Sequence, residues 1–246
     1  MRPLTSSELL TEWEQGLNQP LLHKTFALLQ TASPELNTAD IAKLSIGNRD
    51  ARLFKLREWM FGSRFRNMAE CPECSERVEW ETRMTELNLL LKENSKTANE
   101  FNLEKDGYNI QFRLPNSDDI ISVVSNNTKN QDPTRLLNLC VLKSKFKNRK
   151  VKFENLPENI LQDLTSRIEE LDPMADIRMK ISCPNCSHEW ESRFDIISYL
   201  WAEIDNWAKR MLQDIFSLAR AFGWSEKEIL EMNPMRRNIY VEMVRA

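Results

Sequence analysis

The chain has 246 residues, 41% of them hydrophobic, with only 5 glycines and 10 prolines, which is enough apolar side chain to close a core and excludes a disordered or low-complexity protein. Its 34 basic residues against 37 acidic ones leave a net charge of −3, which excludes a protein whose main task is to coat nucleic acid. The start, Met1-Arg2-Pro3-Leu4-Thr5-Ser6-Ser7-Glu8, runs into Glu12 and Glu14 without an apolar stretch, so neither a secretory leader nor a membrane span is expected, and the cysteines are expected as reduced thiols of a cytoplasmic protein.

Thr5 and Glu8 have capping-box spacing ahead of Leu9, Leu10, Trp13 and Leu17, which predicts a first helix. Pro20 suits the first turn of a second, carrying Leu21, Leu22, Phe26, Leu28 and Leu29 until Ser33-Pro34 breaks it. After a short segment around Ile41 and Leu44, Gly47-Asn48-Arg49-Asp50 opens a helix with Leu53, Phe54, Leu56, Met60 and Phe61 on one stripe. Gly62 closes that helix.

Next comes a motif that occurs twice: Cys71-Pro72-Glu73-Cys74-Ser75 leading into Glu79-Trp80-Glu81, and Cys183-Pro184-Asn185-Cys186-Ser187 leading into Glu189-Trp190-Glu191. The copies differ by two residues between the second cysteine and the triplet, which is the side-chain period of a strand, so both read as matching hairpins. Four cysteines in two pairs point to one tetrahedral thiolate site for Zn2+ with Cys71, Cys74, Cys183 and Cys186 as ligands. A redox pair, a disulfide or a metal-free turn competes for the same residues. A redox pair calls for a cysteine at a helix N-terminus, and here strand-like residues follow each pair. Ser75 and Ser187 stand where glycine would most easily adopt positive φ.

Cys74 and Cys183 are separated by 108 residues, too many for a loop, so an α/β insert lies between the hairpins. Within it, Phe101–Lys105 and Tyr108–Leu114 read as strands about an Asp106-Gly107 turn. Helices are expected from Asn116-Ser117, burying Ile120, Ile121 and Val124; from Asp132-Pro133, carrying Leu136, Leu137, Leu139 and Val141; and from Pro157, carrying Ile160, Leu161, Leu164 and Ile168. Cys140, among leucines, reads as a small buried hydrophobe rather than a fifth ligand. The basic run Lys143, Lys145, Lys147, Arg149, Lys150 and Lys152 reads as a solvated loop leading into a strand. Ile177, Met179 and Ile181 alternate with Arg178 and Lys180 as a half-buried strand entering the second hairpin.

Asp195 caps the longest element, in which Ile197, Trp201, Ile204, Ala208, Met211, Ile215, Leu218 and Phe222 form an uninterrupted apolar seam expected to pack on the protein's own helices. Gly223 ends it. Ser225 and Glu228 form a second capping box stapled by Trp224 and Ile229, and Asn233-Pro234 begins a final helix.

Together these residues resemble the baseplate hub assembly chaperones of contractile phage tails and related contractile injection systems. The resemblance covers nearly the whole chain. It rests on Gly47-x-Arg49-Asp50-Ala51-x-Leu53-x-x-Leu56-Arg57 ending in Phe61-Gly62, on both Cys-Pro-x-Cys hairpins and on Asp172-Pro173. Its most specific part runs from Leu218 through Phe222-Gly223-Trp224-Ser225 to Leu230, then Pro234-x-Arg236-Arg237 and Tyr240. The two serines after the knuckles, and Phe222 where tyrosine is expected, depart from the family pattern.

The expected fold is α+β and predominantly helical: a helical bundle with a zinc-ribbon-like pair of hairpins and an α/β insert between them. The expected divisions are an N-terminal helical region at 1–66, hairpins at 67–82 plus 177–194, the insert at 83–176, and C-terminal helices at 195–246 packing on the N-terminal region. The resemblance implies a non-enzymatic assembly factor or structural protein binding baseplate or hub proteins, in the cytoplasm of the producing cell or in the particle's baseplate. Arg49, Arg57, Trp224, Arg236 and Arg237 are candidates for its partner surface. The alternative is a zinc-ribbon nucleic-acid-binding protein using the basic run with Trp80 and Trp190 as stacking groups. A catalytic zinc is disfavoured because no histidine or carboxylate is tied to the cysteines by spacing, and neither His23 nor His188 has a triad partner.

Overall fold

The structure, a computed structural model, describes residues 1–83, 100–125 and 134–245, which are mixed α and β and mostly helical. In chain order the helices and strands are Ser6–Gly16 (α1), Leu21–Ala32 (α2), Thr38–Ala42 (α3), Ile46–Phe61 (α4), Arg64–Glu70 (β1), Arg77–Arg83 (β2), Phe101–Lys105 (β3) and Tyr108–Phe112 (β4). Then follow Ser117–Ser125 (α5), Thr134–Cys140 (α6), Val141–Phe146 (β5), Arg149–Lys150 (β6), Glu158–Leu171 (α7), Arg178–Ser182 (β7), Glu189–Arg193 (β8), Ile196–Phe222 (α8), Glu226–Glu231 (α9) and Pro234–Arg245 (α10). Among the described residues no helix is long and apolar enough to cross a membrane. The chain divides into two units, residues 1–38 with 195–246, and residues 39–194.

In the first unit the seam of α8 is the organising surface. Leu10, Ala208, Met211, Ile215, Leu218, Ile229 and Val241 form one buried cluster, with Trp13, Trp207, Trp224 and Tyr240 packed on it. Buried indole N–H groups need acceptors, and two are met across helices: Trp13 Nε1 donates to Asp205 at 3.1 Å, and Trp201 Nε1 to the Thr25 hydroxyl at 3.0 Å. Phe222, expected in the seam, is instead 43% exposed. It is the last helical residue before Gly223, whose φ of 72° turns the chain away, and its ring stacks on Trp224 at 4.5 Å.

Both capping boxes form, Thr5 with Glu8 and Ser225 with Glu228. Ser225→Ala removes an acceptor for the Glu228 N–H and is expected to cost about 1 kcal/mol. A shift of the urea midpoint at constant slope would report it; no shift would mean the box contributes nothing.

In the second unit, β1 pairs with β2 and β7 with β8 as separate antiparallel hairpins, and β3-β4-β5-β6 form a four-stranded antiparallel sheet. One sheet face packs Ile110 and Phe112 against Ile160 and Leu164 of α7. Both tight turns of this sheet have positive φ at their two central residues, Asp106 (50°) with Gly107 (81°), and Lys147 (44°) with Asn148 (69°). That geometry matches the twist of the flanking strands.

Three expectations for the insert are corrected. The helix read as reaching Val141 ends at Cys140 and the chain passes directly into β5, because residues 143–146 alternate with period 2 and the strand pairs with β4, with an irregularity at Leu142. Its expected start at Asp132-Pro133 lies outside the described residues. The basic run is accordingly a strand–turn–strand hairpin, not a loop. In α5, Val124 is 71% exposed and Ile120 and Ile121 are half-buried; the fully buried residues are Ser117 and Asp119. Asp119 caps its own helix by accepting from Asn116 N–H at 2.9 Å, and it takes both ends of the Arg113 guanidinium at 2.6 and 2.7 Å.

Candidate metal centre

The two cysteine turns are built alike. Cys71 N–H donates to Glu76 O, and Ser75 N–H to Cys71 O, each at 2.9 Å; Cys183 N–H donates to His188 O, and Ser187 N–H to Cys183 O, also at 2.9 Å. Ser75 has φ 58° and Ser187 φ 59°, so both serines adopt the left-handed conformation at a cost of about 1–2 kcal/mol each. That conformation turns each chain back into its second strand and leaves both sulfurs of a pair pointing the same way.

The four Sγ atoms lie within 4.8 Å of one another. Cys71 is 3.6 Å from Cys186 and Cys74 is 3.6 Å from Cys183, so each contact joins an early cysteine to a late one. Four thiolates around a tetrahedral ion at about 2.3 Å stand about 3.8 Å apart, while a disulfide requires about 2.05 Å. The cluster is positioned to chelate a metal. Cys71 and Cys183 are buried with Val78 and Ile181, and Trp80 and Trp190 pack on the same cluster. Both indoles are therefore partly committed to the interior instead of standing clear as stacking groups.

The thiols influence one another's protons. The Cys74 thiol is lowered to about 7, chiefly by a hydrogen bond from the Glu76 backbone. Cys186 is exposed at the rim of the cluster; the His188 backbone pulls its proton affinity downward, but local desolvation and the three neighbouring thiols outweigh it and push the group up to about 12. Charge accumulates as protons leave, so the last thiol resists most. Cys140 stands apart, buried among apolar side chains and raised to about 12 mainly by that burial. His188 lies over Trp190 with ring centroids 6.0 Å apart, and His23 is exposed.

What holds the hairpins is a set of charged residues whose burial the sequence did not reveal. Arg57 is 2% exposed; it donates to the Gly62 carbonyl at 2.6 Å and lies 4.0 Å over the Phe65 ring at the base of β1. Phe65 in turn packs with Phe54 and with Phe194, which follows β8. On the other side, Gly47 N–H donates to buried Asp172 at 2.9 Å, tying the start of α4 to the segment that leads into β7. Burial pushes the Asp172 carboxyl pKa upward, against the pull of Gly47, Ser45 and Arg49. Arg49 binds Asp50 at 2.7 Å and the Ser117 hydroxyl at 2.8 Å.

Arg49 and Arg57 are thus inside the second unit. Arg237 is inside the first, with its Nε lacking a hydrogen-bond partner among the described residues and its pKa lowered by burial, Asp214 opposing. Trp224 is half-buried and Arg236 is exposed.

A family model described as T4 bacteriophage base plate protein matches residues 27–200, a stretch containing both cysteine pairs and the Gly47–Asp172 junction. No curated protein and no solved structure matches the chain.

Proposed function

Because the chain belongs to the T4 bacteriophage base plate protein family, with a non-enzymatic, structural or assembly role in a contractile tail system, we propose that it is an assembly factor for the baseplate hub, stabilised by a structural zinc ion on Cys71, Cys74, Cys183 and Cys186. One observation carries this reading: two cysteine pairs 108 residues apart in sequence converge, within the family-matched stretch, on a four-thiol cluster. Four thiolates suit zinc, and they leave no open coordination position for a reacting water, which fits a structural ion rather than a catalytic one. In this role the ion joins two zinc-ribbon-like hairpins and fixes the shape of the second unit.

The partner surface is assigned to the exposed end of the first unit. Trp224 and Arg236 sit there with the Phe222 and Tyr240 rings, 4.5 and 4.9 Å from Trp224. Met235, Ile239 and Met243 extend it as an exposed apolar stripe with four-residue spacing on α10. Aromatic, methionine and arginine side chains of this kind dominate protein interfaces. The buried Arg49, Arg57 and Arg237 act on that surface only through the fold.

Affinity capture of the tagged chain from cells making the whole tail, compared with the composition of finished particles, tests the role. Capture of hub proteins from lysate is expected. Absence from particles would then identify a chaperone and presence a structural subunit; no association with any baseplate protein in either sample would overturn the reading.

A further inference from the structure

Between Lys143 and Lys152 the chain places six cations and no acid. The structure gathers them at one end of the four-stranded sheet. Lys143 and Lys145 lie on the face opposite α7, since Ser144 between them points inward and donates to Val151 O at 2.6 Å. Lys145 stands directly across from Lys150. Arg149 and Lys147 lie at the turn, and all five residues are exposed with no acidic partner among the described residues.

Two of these placements oppose the local fold. Like charges directly opposite on neighbouring strands repel. Lys147 occupies the first turn position at φ 44°, where Asn, Asp or Gly would sit with less strain. Lysine on an edge strand is a common guard against aggregation, and that accounts for Lys143 and Lys150, but β6 covers β5 at Lys145. Edge protection therefore does not account for Lys145. Local rules broken twice, each time in favour of a cation, point to selection for binding.

We propose that this basic sheet end docks an acidic segment of a protein partner; this rests on the assembly reading above and adds a second contact surface to it. A protein is favoured over a nucleic acid for two reasons. The outward face carries no ring on which a base could stack, because Tyr108 and Phe146 pair with each other, centroids 4.6 Å apart, on the other face. The charge also stops within the sheet: across from Lys145 come Asn109 and then Glu104, so no basic track continues for a phosphate backbone.

The test is fluorescence anisotropy with a labelled polyglutamate peptide and, separately, a single-stranded DNA oligonucleotide of equal charge, using the full chain, a Lys145→Gln/Lys150→Gln variant, Lys147→Asn, and Lys209→Gln on α8 as control. The peptide is expected to bind in a salt-sensitive way, roughly fivefold more weakly to the double variant and about twofold more weakly to Lys147→Asn. The control is expected to bind like the parent, and both hairpin variants to melt at the same temperature or higher. No peptide binding at low ionic strength, equal binding by the double variant, a lowered melting temperature in both hairpin variants, or tighter binding of the oligonucleotide would each overturn the proposal. The assay uses the isolated chain, so its failure leaves the hub reading standing, and failure of the capture experiment leaves the peptide result standing.

Discussion

Cys183→Ser is expected to abolish stoichiometric zinc binding and to unfold at least the two hairpins. Structural zinc in small thiolate sites contributes on the order of 10 kcal/mol of apparent folding free energy, comparable with the whole stability of a domain. The lost ligand is 2% exposed and 3.6 Å from Cys74, so the substitution replaces an inner thiolate by a serine hydroxyl and leaves three thiolates, too few for a closed four-thiolate site. Elemental analysis should find one zinc per parent chain and less than a tenth as much in the variant, with loss of the cooperative melting transition. Cys140→Ala, outside the cluster, is expected to keep its zinc. Equal zinc in the parent and Cys183→Ser proteins would remove the metal from the account. The same cluster sets a pH dependence. Without metal the Cys74 thiol is lowered to about 7 and the Cys186 thiol raised to about 12, so binding at neutral pH must displace protons and affinity must fall as the medium is acidified. Zinc added in weak buffer should release more than one proton per ion.

The second large effect is expected at Gly47. A Cβ there would stand 1.9 Å from Asp172 Oδ1, 2.7 Å from its Cγ and 3.1 Å from the Ala175 backbone nitrogen. Asp172 is 3% exposed and already holds Gly47 N–H at 2.9 Å, so it cannot swing away without leaving buried donors unmet. Gly47→Ala should therefore destabilise residues 39–194 by about 3 kcal/mol. Overpacking and the lost charge-assisted hydrogen bond each cost about 1–3 kcal/mol, and the better helix propensity of alanine returns about 1. Asp172→Ala alone should cost about 2 kcal/mol, and the double variant clearly less than the sum, because removing the carboxylate removes the clash. Chemical denaturation of the four proteins closes the cycle. Strict additivity would mean that the two residues do not meet.

The contrast between these two sites shows which parts of the molecule its sequence declares. The cysteine repeat, the capping boxes and the Asp106-Gly107 turn are local chemistry, in which the residues that make the feature are near neighbours. The junction at Gly47 is different. Its partner lies 125 residues away, and nothing at either end names the other. Arginines 49, 57 and 237 resemble surface charges in sequence because charge ordinarily implies solvent; only packing reveals that Arg57 covers Phe65 and Arg49 reaches Ser117. The α6–β5 boundary was hidden for another reason. From Leu136 to Val141 only Asn138 interrupts the apolar residues, and so lightly punctuated a run fits helix and strand equally well. The family match stops at residue 200, so the Trp224–Arg236 end is argued from its resemblance in sequence and from its own side chains, the exposed Phe222 and Arg236 beside half-buried Trp224 and Tyr240.

The order of the two units along the chain dictates an order of birth. Residues 39–194 leave the ribosome as an unbroken stretch, whereas the other unit needs residues 1–38 together with residues 195–246. At about 5–20 residues per second, Cys71 and Cys74 wait on the order of ten seconds as bare thiols before Cys183 and Cys186 emerge. The N-terminal helices wait longer still, their apolar faces uncovered until α8 is made. The molecule closes from the middle outward, and its two ends are the last to be reconciled.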